Sequence, residues 1–434
     1  MGETPSEMIN NLNLDQDDMY MELEKPYLQT NTNMLLEQHR QQNLQIFIIP
    51  TYIKERNPDA YKPKMVSIGP YHYGQPHLIK MQLHKKRALL HFLKRSQVRA
   101  TKQDYVDRLM LVVDQLRKSY EQDVEQMERW KNDDDGFVKL MMIDGIFLIE
   151  FLSVLKGNQN NRDYANIDPI FGHRGHNLNY NYVMQDLLLL ENQLPYLVLS
   201  TLLSVSEGQS EENTHRILST IMFSPPKFQG HHLLDTYMKG ILGGGSHHQR
   251  GDEERTIRIS ASKLRKYGVH FKTVASYNKI KFDKHTATLS LPSIIINKQT
   301  KDRFFNSKVY ELRVGTNKDL NSYIHLMDSL IQSASDVNSL RSQGIIVSSL
   351  GSDEAVVEVM KELTKDTVRG EVDQISIRTI AEVKEYYHRE KKATRNWIWV
   401  RDNWASIVGA ATILLLLSVV QTVYTVLAFH YNKK

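Results

Sequence analysis

The chain has 434 residues, enough for one large domain or two ordinary ones with a substantial core. Apolar residues make up 41% and charged residues 24%, and a formal net charge of +5 on this length does not indicate nucleic-acid binding. The absence of cysteine excludes disulfides, thiolate metal ligands and a cysteine nucleophile.

The N-terminal region lacks the features of an export signal. It has no apolar run, and it begins acidic, with Glu3, Glu7, Asp15, Asp17 and Asp18. A signal peptide instead starts basic and continues apolar. Because Asn and Gln are also frequent there, residues 1–45 are predicted to be a mobile polar tail before a main domain over 46–400.

The motif VSIGPYHYG, residues 66–74, is punctuated by glycines and a proline and is predicted to contain a turn. Tyr71, His72 and Tyr73 place three amphipathic rings on it. Such rings suit contact with a partner protein, and they suit packing of this segment onto the helices equally well. The sequence leaves both interpretations open.

Histidines recur every seven residues at His77, His84 and His91, on one stripe of a predicted helix. Successive members lie about 10 Å apart along a helix axis, too far apart to share one ion with bonds of about 2 Å. The other closely spaced histidines lack supporting ligands. We therefore expect neither a metal site nor a cofactor.

The remaining elements are mostly helical. Apolar residues recur at helical spacing in 105–127 and 323–340, and 137–155 is apolar on most sides, as a central helix would be. Residues 268–297 instead cluster β-formers around turns and predict a small antiparallel sheet. The glycine-rich stretch 243–255 predicts a surface loop and a subdomain boundary. The predicted fold class is therefore mainly α with a small β element.

The stretch DLLLLENQLPYLVL places Glu191, Asn192 and Gln193 side by side in an otherwise apolar run. Pro195 has no N–H and disfavours helical geometry in the residue before it. The pattern therefore predicts a joint between a helix over 183–190 and another that begins at the proline. Orphaned backbone groups at a joint need partners, which the trio can supply, so we predict an architectural role for all four residues.

The alternative is an active site built from carboxylates in apolar surroundings, namely Asp144, Glu150, Asp186 and Glu191. Such carboxyls can act as acid and base in hydrolysis. Within each helix the spacing does not bring two of them onto one face. Only a pairing between helices would build a hydrolase.

Residues 407–429 are 23 residues without a charge. A helix of that length reaches roughly 35 Å, enough to cross a membrane core of about 30 Å. Three of the four tryptophans, Trp397, Trp399 and Trp404, come just before it, as expected of a membrane-interface belt. Only residues 430–434 follow, so we predict a single-pass, tail-anchored membrane protein.

Basic residues concentrate before this span, at Lys384, Arg389, Lys391, Lys392, Arg395 and Arg401, whereas Lys433 and Lys434 follow it. The positive-inside rule therefore predicts a cytosolic location for the large N-terminal part, at the plasma membrane or an endomembrane. The same residues could contact an anionic leaflet.

Five blocks occur in the order found in a plant family: VSIGPYHYG, FVKLMMIDGIFLIEF, DLLLLENQLPYLVL, ASKLRKYGVHFK and YIHLMDSLIQSASDVNSLRSQGII. Over about 46–429 the chain resembles the family built on domain of unknown function 247, whose pattern includes a C-terminal span. Ser119, Ile146 and Tyr73 depart from residues usual in that pattern. The resemblance implies a plant membrane-associated protein without established catalysis. Some grass members are implicated in pollen–stigma self-incompatibility.

The interpretation that these observations favour is a membrane-anchored, non-enzymatic recognition or signalling component. Its expected partners are the lipid bilayer and an unidentified protein, with no nucleic acid. A membrane-tethered hydrolase that uses the carboxylates and a structural scaffold at the cytosolic leaflet are the two alternatives.

Overall fold

The structure is a computed structural model that describes residues 44–96, 99–155, 164–207, 230–242, 259–314, 319–365 and 374–431. The described chain forms two compact units. The first comprises residues up to Gly240 together with Phe305–Tyr310, and the second comprises Ile241–Phe304 and the chain from Glu311 onward. Almost all of the predicted tail and the whole loop 243–255 lie outside the described residues, although the boundary between the units lies next to that loop.

The first unit is helical. Its helices are α1 (Thr51–Lys54), α2 (Ile79–Ser96), α3 (Lys102–Met110), α4 (Val113–Lys118), α5 (Glu125–Glu128), α6 (Asp134–Leu155), α7 (His173–Asp186), α8 (Tyr196–Glu207) and α9 (Leu233–Leu242). Short 3₁₀ turns at Pro58–Ala60 and Pro76–Leu78 precede α2.

Helix α6 is the centre of this unit, as the apolar run 137–155 predicts. It contacts α2, α3, α4 and α8, and its apolar side chains are buried almost all round. Its start is fixed by Asp133, whose carboxylate accepts the Gly136 amide at 2.8 Å. Asp134 and Asp135 in the first turn complement the positive end of the helix dipole.

The helix predicted over 105–127 is three short helices, α3, α4 and α5. The chain leaves helical geometry near Tyr120, which forms a bridge with Ile46. The Glu121 amide donates to the Ile46 carbonyl at 3.0 Å. Pairing with a distant backbone segment outweighs the local helical spacing here.

The second unit holds the β element. Its strands are β1 (His270–Val274), β2 (Lys281–Asp283), β3 (Thr288–Pro292), β4 (Ile294–Ile296) and β5 (Ile346–Ser348). The sheet order is β1-β3-β2, with β1 parallel to β3 (His270 opposite Thr288) and β2 antiparallel to it. β4 pairs in parallel with β5. The small sheet expected at 268–297 is present and is mixed in strand direction.

The helices of the second unit are α10 (Ala261–Lys266), α12 (Asp319–Leu330), α13 (Ala334–Arg341), α14 (Asp353–Lys365), α15 (Gln374–Asp402) and α16 (Trp404–Tyr431). A further helix, α11 (Thr300–Val314), has its ends in this unit and residues 305–310 in the first.

The helix predicted over 323–340 is divided between α12 and α13. Asp336 explains the division because its carboxylate accepts the Ser333 amide at 2.9 Å and so begins a new helix. The same carboxylate accepts the Ser262 amide at 2.8 Å, which joins α10 to α13.

Helix α16 is long and apolar, and it ends the described chain. Residues Trp404–Leu427 have the length and composition of a membrane-crossing helix, and none of the most apolar window is buried. The predicted mainly α fold with a small β element and one C-terminal apolar helix is confirmed.

Candidate functional site

The polar trio lies in a non-helical loop, residues 187–195, between α7 and α8. Helix α7 ends at Asp186 and α8 begins at Tyr196, so the first helix ends four residues before the predicted boundary at residue 190. Gln193 gives the reason, because its side-chain Nε2 donates to the carbonyls of Leu187 and Leu189 at 2.7 Å each. The side chain thus replaces the backbone donors that a longer helix would have supplied.

Glu191 is buried and holds the N-terminal segment, which we define as residues 46–69. Its Oε1 accepts the Ile49 amide at 2.6 Å. Lys54, at the end of α1, lies 2.6 Å from the same oxygen and 2.9 Å from Oε2. Burial raises the pKa of Glu191, and the Lys54 ammonium opposes that shift. The carboxylate therefore serves as an anchor for backbone and an ion pair for α1.

Asn192 also binds the N-terminal segment. Its Oδ1 accepts the Ile68 amide at 2.6 Å, and its Nδ2 donates to the Val66 carbonyl at 3.0 Å. Nδ2 also donates to the Asp186 carbonyl at 2.9 Å, at the end of α7. One amide side chain therefore joins a helix end to the irregular stretch 66–68 of this segment.

Asp186 and Asp144 extend this arrangement. Asp186 Oδ1 accepts the Lys64 amide at 2.8 Å, and Oδ2 accepts the amides of Met65 and Val66 at 2.6 and 2.8 Å. Asp144 Oδ2 accepts the Gly69 amide at 2.9 Å. Burial raises the pKa of both carboxyls, while these amide donors oppose it.

Lys85 neutralises Asp144 inside the core. The two side chains are fully buried, with Nζ 2.5 Å from Oδ1. The same ammonium also donates to the Ser67 carbonyl. A buried carboxylate requires such a partner, because an unpaired charge in the interior is strongly destabilising. No pattern in the sequence indicated a role for Lys85, which lies on α2 next to His84.

Glu150 is engaged elsewhere, by Arg95 and by the Tyr164 hydroxyl at 2.8 Å. Each of the four carboxylates proposed for hydrolysis thus has its own set of donors. Three of them hold backbone amides of the N-terminal segment. Together with Asn192 and Lys85 they form what we call the buried polar cluster, which comprises Lys85, Asp144, Asp186, Glu191 and Asn192. Its geometry describes a clamp on an irregular segment, whose buried amides and carbonyls need partners.

The turn that follows the N-terminal segment carries two buried rings and one exposed ring. Tyr71 and His72 are buried, whereas Tyr73 is 38% exposed. The Tyr71 hydroxyl donates to the Ile46 carbonyl at 3.0 Å and accepts the Glu121 amide at 2.8 Å. Gln75 Nε2 donates to His72 Nδ1 at 2.9 Å, and His72 Nε2 lies 3.7 Å from Glu191 Oε2 with no hydrogen-bond partner among the described residues. Only Tyr73, stacked edge-on against Trp130, faces outward.

The histidine stripe on and before α2 has separate partners. The His77 ring contacts the Pro63 carbonyl at 3.0 Å, and His84 contacts Arg87 at 2.8 Å. His91 packs on the Tyr164 ring at 4.2 Å between centroids. Among the described residues no group of three or more His, Asp or Glu side chains is placed to hold a metal ion.

The predicted membrane-interface residues lie on the exposed part of α15 and at the start of α16. These are Lys391, Lys392, Arg395, Trp397, Trp399, Arg401 and Trp404, all of them exposed. The Arg401 guanidinium lies over the Trp397 ring at 5.3 Å. Residues 430–431 end α16, and residues 432–434 lie outside the described chain.

The N-terminal segment itself could have been predicted only weakly. Pro50, Pro58, Pro63 and Pro70 recur through this part of the chain and disfavour one continuous helix there. Lys54 and Asn306 gave no such signal. Asn306, on α11, accepts the Leu190 amide at 2.9 Å and donates to the Ala60 carbonyl at 2.8 Å.

The chain belongs to a class of plant proteins that is defined by sequence. Residues 46–418 match the family model for domain of unknown function 247, described as a plant protein of unknown function, and the chain belongs to that family. It is 26% identical to the UPF0481 protein At3g47200 of Arabidopsis thaliana, over 92% of this chain and 90% of the relative. It is 23% identical to the putative UPF0481 protein At3g02645 of the same plant, over 90% of this chain and 92% of the relative. No solved structure matches the chain.

Proposed function

We propose that this chain is a membrane-anchored, non-enzymatic component of protein–protein recognition or signalling. The observation that supports the proposal is α16, whose apolar side chains have no packing partner in the described structure. Exposing so many leucines and valines to water is unfavourable at about 25 cal/mol per Å², whereas a hydrocarbon core would accept them.

The residues before α16 support a particular orientation in the bilayer. The end of α15 exposes basic side chains and tryptophans, a combination suited to the anionic headgroup region on the cytosolic side. We infer that the first unit and the part of the second unit before α16 lie in the cytosol and that α16 crosses the membrane.

A non-enzymatic role is supported by the buried polar cluster. Its carboxylates are the best candidates for acid–base chemistry in the apolar core, and they are engaged with backbone amides, Lys54 and Lys85. The more specific form of this proposal is a pollen-side determinant of self-incompatibility, the role implicated for some grass members of the family.

The test of anchoring is extraction of cell membranes with alkaline carbonate. The unaltered chain should remain in the membrane pellet. Two lysines in the middle of α16, in the double variant Leu415→Lys and Leu416→Lys, should release it, since each costs about 3 kcal/mol at the centre of a bilayer. Leu111→Lys is the matched control, because Leu111 is a similarly exposed leucine on the body of the protein. Release of the unaltered chain by carbonate would refute the anchor.

A further inference from the structure

Helix α2 has an outward apolar face with no partner in the described structure. Its inner face packs against α6 through Met81, Ala88, Leu89 and Phe92. On the outer face Ile79, Leu83 and Leu90 are 55%, 73% and 68% exposed. With Lys86 between them these positions follow steps of four, three and four residues, the spacing of a helix–helix seam.

The charged residues of α2 beside these apolar positions are all basic. Helix α2, IKMQLHKKRALLHFLKRS, contains no acidic residue. Lys80, Lys86 and Lys94 are exposed and form no ion pair with another described residue. An occupant that fits the face must therefore combine an apolar stripe with several carboxylates.

Such a segment is present in the same chain. Four of the apolar residues in 4–25, Ile9, Leu12, Met19 and Leu23, recur at steps of three, seven and four, a spacing typical of one face of a helix. Met8, Leu14, Tyr20 and Met21 do not follow this spacing. The same stretch carries the acidic residues Glu7, Asp15, Asp17, Asp18, Glu22 and Glu24. It is bounded by Pro5 and Pro26.

We propose that residues 4–25 bind along the exposed face of α2. Their apolar residues would cover Ile79, Leu83 and Leu90, and their carboxylates would meet Lys80, Lys86 and Lys94. The 18 residues between this segment and Leu44, the first described residue, can extend to about 60 Å. This inference does not depend on the membrane anchor or on the proposed function.

The test uses the full-length chain and exploits its lack of cysteine. A reporter thiol is introduced by Lys86→Cys, which leaves the three apolar anchors intact, and its rate of reaction with a maleimide is measured. The control reporter is Leu111→Cys, on a residue that is 74% exposed outside α2. Each reporter is combined with reversal of the acidic segment (Asp15→Lys, Asp17→Lys, Asp18→Lys), with reversal of the helix (Lys80→Glu, Lys94→Glu), and with both.

We expect reversal of either side alone to accelerate labelling at Lys86→Cys about tenfold, which corresponds to about 1.4 kcal/mol in favour of the bound form. Reversal of both sides should restore slow labelling, and Leu111→Cys should react equally in all four backgrounds. Equal rates at Lys86→Cys in every background would overturn the proposal. Protection that appears only with phosphatidylserine vesicles would replace it with a lipid-binding face, and protection that increases with protein concentration would replace it with contact between copies.

Discussion

Single residues of the buried polar cluster share one role, because each binds backbone of the N-terminal segment. Asp186 accepts three consecutive amides, Glu191 accepts the Ile49 amide, and Asn192 both donates and accepts. Apart from the bridge at Ile46, the segment pairs with no strand of the described structure, so its buried polar groups need such partners. Each buried polar group left unpaired would cost about 1–3 kcal/mol. The adjacency of polar residues in the loop 187–195 thus follows from the shape of the segment that they hold.

Asp186 should make the stability of the protein depend on pH. Burial raises its pKa to about 6, against the opposing effect of the amide donors. The unfolded chain titrates near its usual value of about 3.9, so between about pH 4 and pH 6 the folded state binds more protons. The free energy of unfolding should therefore fall as pH rises through this window, by up to about 3 kcal/mol from this residue.

Urea unfolding of the unaltered chain and of Asp186→Asn at several pH values isolates that contribution. The variant does not titrate at this position, while His72 and His232, whose pKa burial lowers to about 4, titrate in both proteins and cancel. The free energy of unfolding of the unaltered chain minus that of Asp186→Asn should decrease by up to about 3 kcal/mol from pH 4 to pH 6. A difference that grows instead would mean that the three amides keep the carboxyl ionised.

The sequence was sufficient to identify the loop residues that form buried hydrogen bonds. It was not sufficient to identify the groups that they bind. The proline and the need for capping point to Glu191, Asn192 and Gln193 without reference to any other segment. Gln193 binds nearby carbonyls, but the partners of Glu191 and Asn192 at Ile49, Val66 and Ile68 are more than 120 residues away along the chain. Long-range pairing of this kind leaves no local pattern, and Lys85 was missed for the same reason.

At the scale of elements, the turn after the N-terminal segment depends on glycine geometry. Gly69 and Gly74 both have positive φ, of 73° and 83°. A Cβ at Gly69 would lie 2.6 Å from the Gln193 carbonyl oxygen and 3.0 Å from the Tyr120 hydroxyl, whereas one at Gly74 would meet nothing within 4 Å. The two glycines therefore differ in packing and not in backbone conformation.

Gly74→Ala should destabilise the protein by about 1 kcal/mol, the cost of left-handed geometry for an alanine. Gly69→Ala should cost about 1–3 kcal/mol more, because the Tyr120 and Gln193 groups must also move. Thermal or urea unfolding of the two variants side by side gives the comparison. Equal losses would show that the close approach of the turn to the loop 187–195 does not occur.

Helix boundaries also separate what local sequence determines from what it does not. The central helix over 137–155 was predicted well because its apolar residues and acidic start act locally. The break between α12 and α13 has a local cause in Ser333 and Asp336, a capping pattern that periodicity alone overlooked. The break after α4 has no local cause, since it follows from the pairing of Tyr120 with Ile46.

At the scale of the whole molecule, α16 differs from the rest of the described chain in the exposure of its apolar side chains. The rest of the described chain buries most of its large apolar side chains, whereas α16, a helix of the second unit, exposes its own from Trp404 to Leu427. Composition was sufficient to predict this helix, because 23 uncharged residues need no tertiary context. The side of the membrane on which the rest of the protein lies is inferred from flanking charge alone. This orientation is therefore the part of the proposed function that an experiment can test most directly.

The most direct measurement is therefore topology in sealed microsomes, whose cytosolic face is outward. One chain carries Leu111→Cys on the body, another carries Asn432→Cys beyond α16, and both are treated with a membrane-impermeant maleimide. We predict labelling of the Leu111→Cys chain in intact vesicles and labelling of the Asn432→Cys chain only after detergent. Labelling of both without detergent would mean that α16 does not cross the bilayer, and labelling of the Asn432→Cys chain alone would place the body in the lumen.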